Sequence, residues 1–484
     1  MDRARIQRLP VFVVTLCFLS LDIVGPVAAQ RTPRLVRDIA PGADSSPSQM
    51  VTVGDRVYFR ACEPATGCEP WTTDGTEAGT AMLLDAFPGV NGSSPRLFTA
   101  VGGQVFFVAD DGVNGPELWV TDGTPGGTVL VENIRGGGTG AEISEIVAFA
   151  GLAWFPANNG TTGIEIWSSD GTAGGTAMVA NLATGAGSSS PAGLHVVGDQ
   201  LFFAATATAA GVGRELHVAT NAGVALVRDI TSGSTGANPS AFATLGGRLF
   251  FAATDGVAGR EAWVSDGTEG GTAMIADIQD GSAASNPDFP VTIGDEVYFI
   301  ADDGLVGPEL WRSDGTEVGT TIVRDLFPGT GSGGNDARRI AWQGELYFLG
   351  NDGGDDFGNN ELWRSDGTEA GTVLVRDIRP VAGSAPGEFT AGPDLLFFAA
   401  NDGSGEVHTW LTDGTAAGTK KAENPAVVTA AGAGPSELVQ LGDRILFAAN
   451  DGGFYGRELW AIDQPFFADG FDLGTTAGWS GFVP

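Results

Sequence analysis

The sequence predicts an all-β fold, a single β-propeller of four-stranded antiparallel blades, and three observations lead to it. A unit of about 48 residues recurs nine times along the chain. Each unit contains four short segments with the character of β-strands. Glycine is abundant, with 75 residues, yet phenylalanine and tryptophan are also frequent, with 28 and 11, and disordered glycine-rich chains lack such aromatic residues. A repeat of this length with four strands is typical of a propeller blade.

The clearest copy of the repeated motif spans residues 309–320 and reads Glu-Leu-Trp-Arg-Ser-Asp-Gly-Thr-Glu-Val-Gly-Thr. Its aromatic position recurs at intervals of 46 to 52 residues, and one unit has His217 there instead of tryptophan. A regular core strand is a poor place for a sugar-stacking ring, so we expect these side chains to pack between blades. The eight tryptophans are Trp71, Trp119, Trp167, Trp263, Trp311, Trp363, Trp410 and Trp460.

The order of strands can be followed in the unit that holds this motif. Residues 291–293 form a first short strand, and residues 296–301 form a second strand that is apolar at nearly every position. The third strand is 309–313 and the fourth is 321–326. A strand that is apolar on both faces is expected to lie between two neighbouring blades. The Asp-Gly-Thr sequence between the third and fourth strands predicts a tight structural turn.

The two ends of the repeat array predict how the ring closes. A strand from Leu35 to Ile39 resembles the fourth strands but precedes every blade, while the last unit, which holds Trp460, has no fourth strand of its own. We therefore expect nine blades, with the strand from Leu35 to Ile39 as the outer strand of the last one. Such closure removes the exposed ends that would otherwise invite aggregation.

Residues 1–29 have the pattern of a secretory signal peptide, with a basic start, an apolar run and small residues before a cleavage site after Ala29. The predicted division is a signal peptide at 1–29, a propeller at 30–465 and a C-terminal tail at 466–484. The sequence thus predicts a secreted or extracellular protein, with the cell surface as one location. No other apolar run is long enough to span a bilayer.

The repeats resemble those of secreted bacterial proteins named for the motif ELWxxDGT. The unmodified motif surrounds Trp119, Trp311 and Trp363, and the resemblance covers residues 34–463. It implies a propeller-like fold and export, and it implies no activity. The tail resembles a short C-terminal segment found on unrelated exported bacterial proteins, and this resemblance assigns it no role.

The chain is strongly acidic, with a formal net charge of -34. This charge argues against nucleic acid and anionic membranes as partners, and it favours solubility, cations or a basic partner. The loops between second and third strands carry many of the acids. Hard cations such as Ca²⁺ need several oxygen ligands from flexible loops, so these loops are either solvated or bind calcium. The calcium hypothesis names Asp302, Asp303, Asp352, Asp355 and Asp356.

The equivalent loop of the first unit is bracketed by Cys62 and Cys68. In an exported chain this spacing predicts a disulfide across a hairpin loop. The three histidines fall at unlike positions of different units and predict neither a metal site nor a catalytic cluster.

Repetition places the same residues in every blade, whereas catalysis needs a unique constellation. The sequence therefore favours a non-catalytic binding or surface-interaction scaffold for a glycan or protein ligand, with no catalytic residue and no cofactor other than calcium. The alternative is a secreted polysaccharide hydrolase or lyase with paired carboxylates at the propeller mouth. The loops that vary between units carry the acids, so we expect the partner to bind on the face that presents them.

Overall fold

The computed structural model describes residues 33–463 apart from 209–210, 335–336, 354–359, 423–433 and 451–454. The described residues form nine sheets, each of four antiparallel strands, so the predicted nine-bladed propeller is confirmed. The predicted signal peptide and C-terminal tail lie outside these residues. Short 3₁₀ helices occur at Pro125–Gly127 and Ala173–Gly175. Within the described ranges, no helix has the length and apolarity needed to cross a bilayer.

We number the blades 1 to 9 in chain order, from the blade of Trp71 to that of Trp460, and give the bounds of their strands in that order. The first strands are Ser48–Val53, Arg96–Val101, Val147–Phe149, Ala192–Val197, Ser240–Leu245, Asp288–Ile293, Arg339–Trp342, Gly387–Ala391 and Ser436–Leu441. The second strands are Arg56–Glu63, Gln104–Asp110, Leu152–Asn158, Gln200–Thr206, Arg248–Thr254, Glu296–Asp302, Glu345–Gly350, Leu396–Asn401 and Arg444–Asn450. The third strands are Gly67–Thr73, Pro116–Thr121, Ile164–Ser169, Arg214–Thr220, Arg260–Ser265, Pro308–Ser313, Glu361–Ser365, Val407–Thr412 and Arg457–Asp463. The fourth strands are Ala81–Met82, Val129–Glu132, Ala177–Ala180, Gly223–Arg228, Ala273–Ala276, Thr321–Arg324, Val373–Arg376, Lys420–Lys421 and, for blade 9, Arg34–Arg37.

The core lies between blades, as the apolar second strands predict. Phe299 of blade 6 is fully buried and packs in one cluster with Trp311 of its own blade and Phe250 of blade 5. Leu310, the residue before Trp311, points to the opposite side and packs with Phe348 of blade 7. Successive side chains of a strand alternate between its faces, so the Leu-Trp pair of each motif packs against both neighbouring blades.

Closure of the ring by the N-terminal strand is also confirmed. Arg34–Arg37 pairs antiparallel with Arg457–Asp463, with Leu35 opposite Trp460. Ile39 is buried next to this strand and packs in a cluster that includes Trp71 of blade 1. The first and last segments of the ring therefore share one blade, and the N-terminal segment also seals the interface between blades 9 and 1.

The disc has two unlike faces, illustrated here by blade 6. The loop face is formed by the loops between second and third strands (303–307) and by the loops that lead to the next blade (described here at 325–334 and 337–338). The turn face is formed by the turns between first and second strands (294–295) and by the Asp-Gly-Thr turns (314–320). Hydrogen bonds join neighbouring loops on the loop face. The amide of Ser94 donates to the carbonyl of Cys68 at 3.0 Å, and the amide of Asp110 donates to the carbonyl of Ser93 at 3.0 Å.

Candidate functional site: the loop face and the inner ring

A buried glutamate in eight of the nine blades holds the loop that leads to the next blade. In blade 6, Glu309 accepts backbone hydrogen bonds from Leu326 at 3.0 Å, Phe327 at 3.3 Å and Gly333 at 3.0 Å. We call these residues the latch glutamates. They are Glu69, Glu117, Glu165, Glu215, Glu261, Glu309, Glu361 and Glu458, and each is 1% exposed or less. Their position in the motif was clear from the sequence, but their function as acceptors for the loop was not predicted.

Burial changes the acidity of these carboxyl groups. It raises the pKa of Glu117 and of Glu309 to about 7, while hydrogen bonds from backbone amides act in the opposite direction. A raised pKa is a known property of catalytic acids, yet each latch glutamate is inaccessible and bonded to its own loop. These groups therefore fix the shape of the loop face and do not meet a substrate.

The repeated turns on the other face are held by local hydrogen bonds, as expected from their sequence. Asp314 Oδ1 accepts from the amide and the hydroxyl of Thr316, at 2.9 and 2.7 Å, and these bonds hold the pKa of Asp314 below its ordinary value. Gly315 has φ of 86°, in the left-handed region that favours glycine. A side chain at Gly319 would collide with Asp314, which explains the second glycine of the motif. The turn face thus repeats one hydrogen-bonded turn.

On the loop face, the side chains of the predicted calcium ligands Asp302 and Asp303 accept hydrogen bonds from backbone amides of their own turn. Asp302 accepts from the amide of Gly304 at 2.7 Å, and Asp303 accepts from those of Leu305 and Val306 at 2.8 and 3.1 Å. Asp352 lies in the same kind of loop in blade 7, whereas Asp355 and Asp356 fall outside the described residues. The described part of the chain brings together no group of three or more His, Cys, Asp or Glu side chains suited to a metal ion. Calcium binding therefore stays a prediction.

The loop of blade 1 is closed by the predicted disulfide between Cys62 and Cys68, which is confirmed. The two cysteines lie directly opposite each other on the second and third strands. A side chain at Gly67 would collide with the backbone of Gly92, and a side chain at Gly92 would collide with the backbone of Cys68. The disulfide therefore fixes a hairpin that is packed directly against the loop leading to blade 2.

Large aliphatic side chains are exposed at the tips of several loops on the loop face. They are between 73% and 80% exposed, and they are Val90, Val113, Val257, Leu305 and Val381. The turn face has a comparable residue in Val318, which is 91% exposed. Scattered apolar residues on a surface are ordinary, and three of these five, Val113, Val257 and Leu305, occupy the same position of an Asp-Gly turn in different blades.

A second feature missed in the sequence is a ring of residues at one register position, on the first strand of a blade or directly before it. Most of these strands carry a β-bulge there, and six non-glycine residues adopt a left-handed φ between 52° and 60°. The nine members of this inner ring are Gln49, Leu97, Glu145, Gly193, Ala241, Phe289, Arg338, Glu388 and Glu437. A left-handed non-glycine residue costs about 1–2 kcal/mol, and bulges commonly redirect a side chain near functional sites.

Several members of the inner ring bind the next blade. Gln49 accepts from the amide of Leu97 at 3.0 Å, and Glu388 accepts from the amide of Glu437 at 3.0 Å. Glu145 accepts from the amides of Gly193 and Leu194 at 3.0 and 3.1 Å. The ring is thus a set of clamps between blades, but its chemistry differs from blade to blade, in contrast to the latch glutamates.

Blade 8 departs from the motif because His408 occupies the position of the latch glutamate. Its Nε2 lies 2.9 Å from Ser404 Oγ and 3.7 Å from Asp402 Oδ1, and Asp402 also pairs with Lys421 at 3.1 Å. In a catalytic triad the serine and the acid contact different nitrogens of the imidazole. Here both face Nε2, so this cluster lacks the geometry of a triad.

Comparisons with known proteins concern the fold. A scan against protein-family models and a search of curated proteins both gave no match. Among solved structures, the chain is similar to a puromycin-hydrolyzing peptidase of Mycobacterium tuberculosis, with 12% identity and a TM-score of 0.42 over 86% of this chain and 59% of the peptidase. It is also similar to the β-propeller domain of the Trilobed protease from Pyrococcus furiosus, with 12% identity and a TM-score of 0.33 over 67% of this chain and 96% of that domain. Identities and TM-scores this low carry no information on activity or ligands.

Proposed function

We propose that this protein is a secreted, non-catalytic scaffold whose loop face binds a protein or glycan partner. The observation that carries the proposal is the contrast between the two faces. The turn face repeats one hydrogen-bonded turn, whereas the loop face combines a disulfide-closed hairpin in blade 1 with acidic turns and exposed aliphatic tips. Binding residues are commonly carried by variable loops on a rigid scaffold, and exposed aliphatic residues favour a protein partner over a glycan.

The same contacts weigh against the alternative of a polysaccharide hydrolase or lyase. That chemistry needs two accessible carboxyl groups on either side of the bond, one of them with a raised pKa. Among the described residues, the carboxyls with a raised pKa are the latch glutamates other than Glu165, together with Glu145, and all of them accept backbone hydrogen bonds. This arrangement supports binding rather than hydrolysis.

A pair of matched variants tests the choice of face. Purified protein is first screened on protein and glycan arrays, and the partner is then measured by calorimetry with the parent, with Val113→Ser/Leu305→Ser, and with Val318→Ser. We expect the loop-face variant to weaken binding at least about tenfold, as for residues that anchor an interface, and the turn-face variant to bind like the parent. A hydrogen-exchange footprint on the Asp-Gly-Thr turns would overturn the assignment.

Calcium belongs to the same proposal. Millimolar calcium should raise the melting temperature of the parent more than magnesium does, because calcium tolerates irregular carboxylate sites that magnesium does not. The variant Asp355→Ala/Asp356→Ala should lose this rise. Absence of both heat of binding and a melting shift in the parent would remove calcium from the proposal.

We also propose that the chain is a member of the ELWxxDGT-repeat proteins and is exported by its N-terminal segment. The motifs around Trp119, Trp311 and Trp363 support membership, and the basic, apolar and small-residue pattern of residues 1–29 supports export. Expression of the full chain in a bacterium, followed by N-terminal sequencing of the exported protein, should show a start at Gln30. Retention of the unprocessed chain in the cytoplasm would contradict export.

A further inference from the structure

A cavity of about 440 Å³ lies between the first strands of blades 4 and 5. Its size falls within the range of sites for small molecules. Asn238 and Ser240 are exposed at its mouth, on the loop that leads into blade 5. Its walls include Gly193, Leu194, His195, Arg214, Ala241 and Phe242.

The cavity exists because the inner ring has its two smallest residues here. Gly193 and Ala241 occupy the register position that holds Gln49, Glu388 and Glu437 in other blades. Those longer side chains reach the next blade and fill the space in front of it. Blade 4 has glycine at this position, so no side chain reaches across to the first strand of blade 5, and a space remains between the two strands.

Arg214 supplies the positive charge in the cavity. Its Nη1 donates to the carbonyl of Ser190 at 2.7 Å, and within the described residues no hydrogen bond is formed by the other two guanidinium nitrogens. Arg457, at the same register position in blade 9, uses both terminal nitrogens, which donate to Gly434 and Ala448 at 2.9 and 3.2 Å and also to Ser436. Arg214 therefore keeps free donors of the kind that bind a carboxylate in a bidentate manner.

The other polar groups nearby are already engaged. Glu145 is the acid whose charge acts on Arg214, and its two oxygens accept hydrogen bonds from the amides of Gly193 and Leu194. His195 Nε2 lies 3.1 Å from Thr244 Oγ1, and burial lowers the pKa of His195, so its ring is neutral at pH 7. Opposite them lies the ring of Phe242, which packs against Phe251. The cavity thus combines one available cation with an apolar wall.

We propose that this cavity binds a small organic acid, with its carboxylate on the guanidinium of Arg214 and its apolar body against Leu194, Ala241 and Phe242. The strongly acidic surface of the protein repels polyanions, so a single carboxylate suits the site better than a phosphorylated or sulfated polymer. A free acid and the C-terminus of a short peptide share this chemistry. The inference is independent of the proposed partner on the loop tips, since it concerns the inner ring.

The test compares each carboxylate with its own amide. Calorimetry with the purified protein uses 3-phenylpropionate against 3-phenylpropionamide, and N-acetyl-L-phenylalanine against N-acetyl-L-phenylalaninamide. Each acid is expected to bind at least about tenfold more tightly than its amide, because only the acid forms a charge-assisted pair with Arg214. Binding by the first acid identifies a free acid as a ligand, and binding by the second alone identifies a peptide C-terminus.

Three variants distinguish binding in this cavity from binding elsewhere on the protein. Arg214→Gln should abolish the difference between acid and amide, whereas Arg457→Gln, which removes the matching arginine in blade 9, should retain it. Gly193→Gln should fill the cavity and abolish binding, because a Cβ at this position points to the ring of Phe242, and it should fold because Gln49 at the same position has a similar φ, 59° compared with 69°. Equal affinity for acid and amide, no binding up to about 10 mM, or unchanged binding by Arg214→Gln would each overturn the proposal.

Discussion

Removing one latch carboxylate should free one loop of the loop face and lower the stability of the protein. In Glu309→Ala, the buried amide of Leu326 loses its acceptor, that of Gly333 keeps only its bond to the carbonyl of Pro308 at 3.3 Å, and the partly buried amide of Phe327 can turn to water. A buried donor without an acceptor costs about 1–3 kcal/mol and a lost hydrogen bond about 0.5–1.5 kcal/mol, so we expect a loss of about 1.5–4.5 kcal/mol in the free energy of unfolding.

A glutamine at the same position gives an intermediate result. Its single carbonyl oxygen can keep the bonds from Phe327 and Gly333, while its amide group faces the amide of Leu326 and cannot accept from it. Glu309→Gln should therefore lose about 1–3 kcal/mol. Glu317→Ala, in the exposed turn of the same blade, is the control, and it should stay within about 0.5 kcal/mol of the parent.

Urea unfolding gives the free energy of unfolding of the parent and of the three variants, and hydrogen exchange reports on the amides of residues 326–333. The order of stability should be parent and Glu317→Ala, then Glu309→Gln, then Glu309→Ala, and exchange should accelerate in this loop before the rest of the blade. If Glu309→Ala unfolds like Glu317→Ala and the loop stays protected, the carboxylate does not hold the loop and our interpretation of all eight latch glutamates is wrong.

Three further predictions concern closure, the disulfide and pH. Deleting residues 34–39 should lower the melting temperature, since it removes the outer strand of blade 9 and two buried aliphatic side chains; an unchanged melting temperature would contradict closure. Replacing Cys62 and Cys68 with serine should cost about 2 kcal/mol, and mass spectrometry of exported parent protein should find no free thiol at either position. Burial raises the pKa of Glu117 and Glu309 to about 7 from an ordinary 4.5, so the folded state holds more protons and their contribution to stability is lost as pH rises through about 7. The melting temperature of the parent should therefore fall more between pH 5.5 and pH 8 than that of the variant Glu117→Gln/Glu309→Gln, which lacks both titrating groups. Equal changes in the two proteins would refute the assignment.

The architecture was predictable because its signals are local and repeated. The Leu-Trp pair marks the third strand, and the unmatched strand at Leu35 together with the incomplete unit at Trp460 predicts closure. The disulfide followed from two cysteines in one hairpin. Each of these features rests on short segments that can be recognised in the sequence without knowledge of their contacts.

The two features that shape the candidate site were missed for different reasons. Glu309 binds backbone amides 17 to 24 residues later, and backbone donors have no sequence signature. A partial signal did exist: Glu69 and Ser93, Glu165 and Ser189, and Glu261 and Ser285 keep a constant spacing and form hydrogen bonds. The inner ring gave no signal, because glutamine, leucine, alanine, phenylalanine and glutamate are not residues that favour a left-handed φ.

Closure by the N-terminal strand determines how the ring responds to force. Arg34 pairs with Ala461 and forms an ion pair with Asp463, so the two ends of the ring leave from the same end of one antiparallel pair. Tension applied between them loads the hydrogen bonds of that pair one after another, as in unzipping, rather than all together, as in shear. A pulling experiment through the two ends should therefore open blade 9 first, at low force, while force applied across two distant loops meets the whole ring.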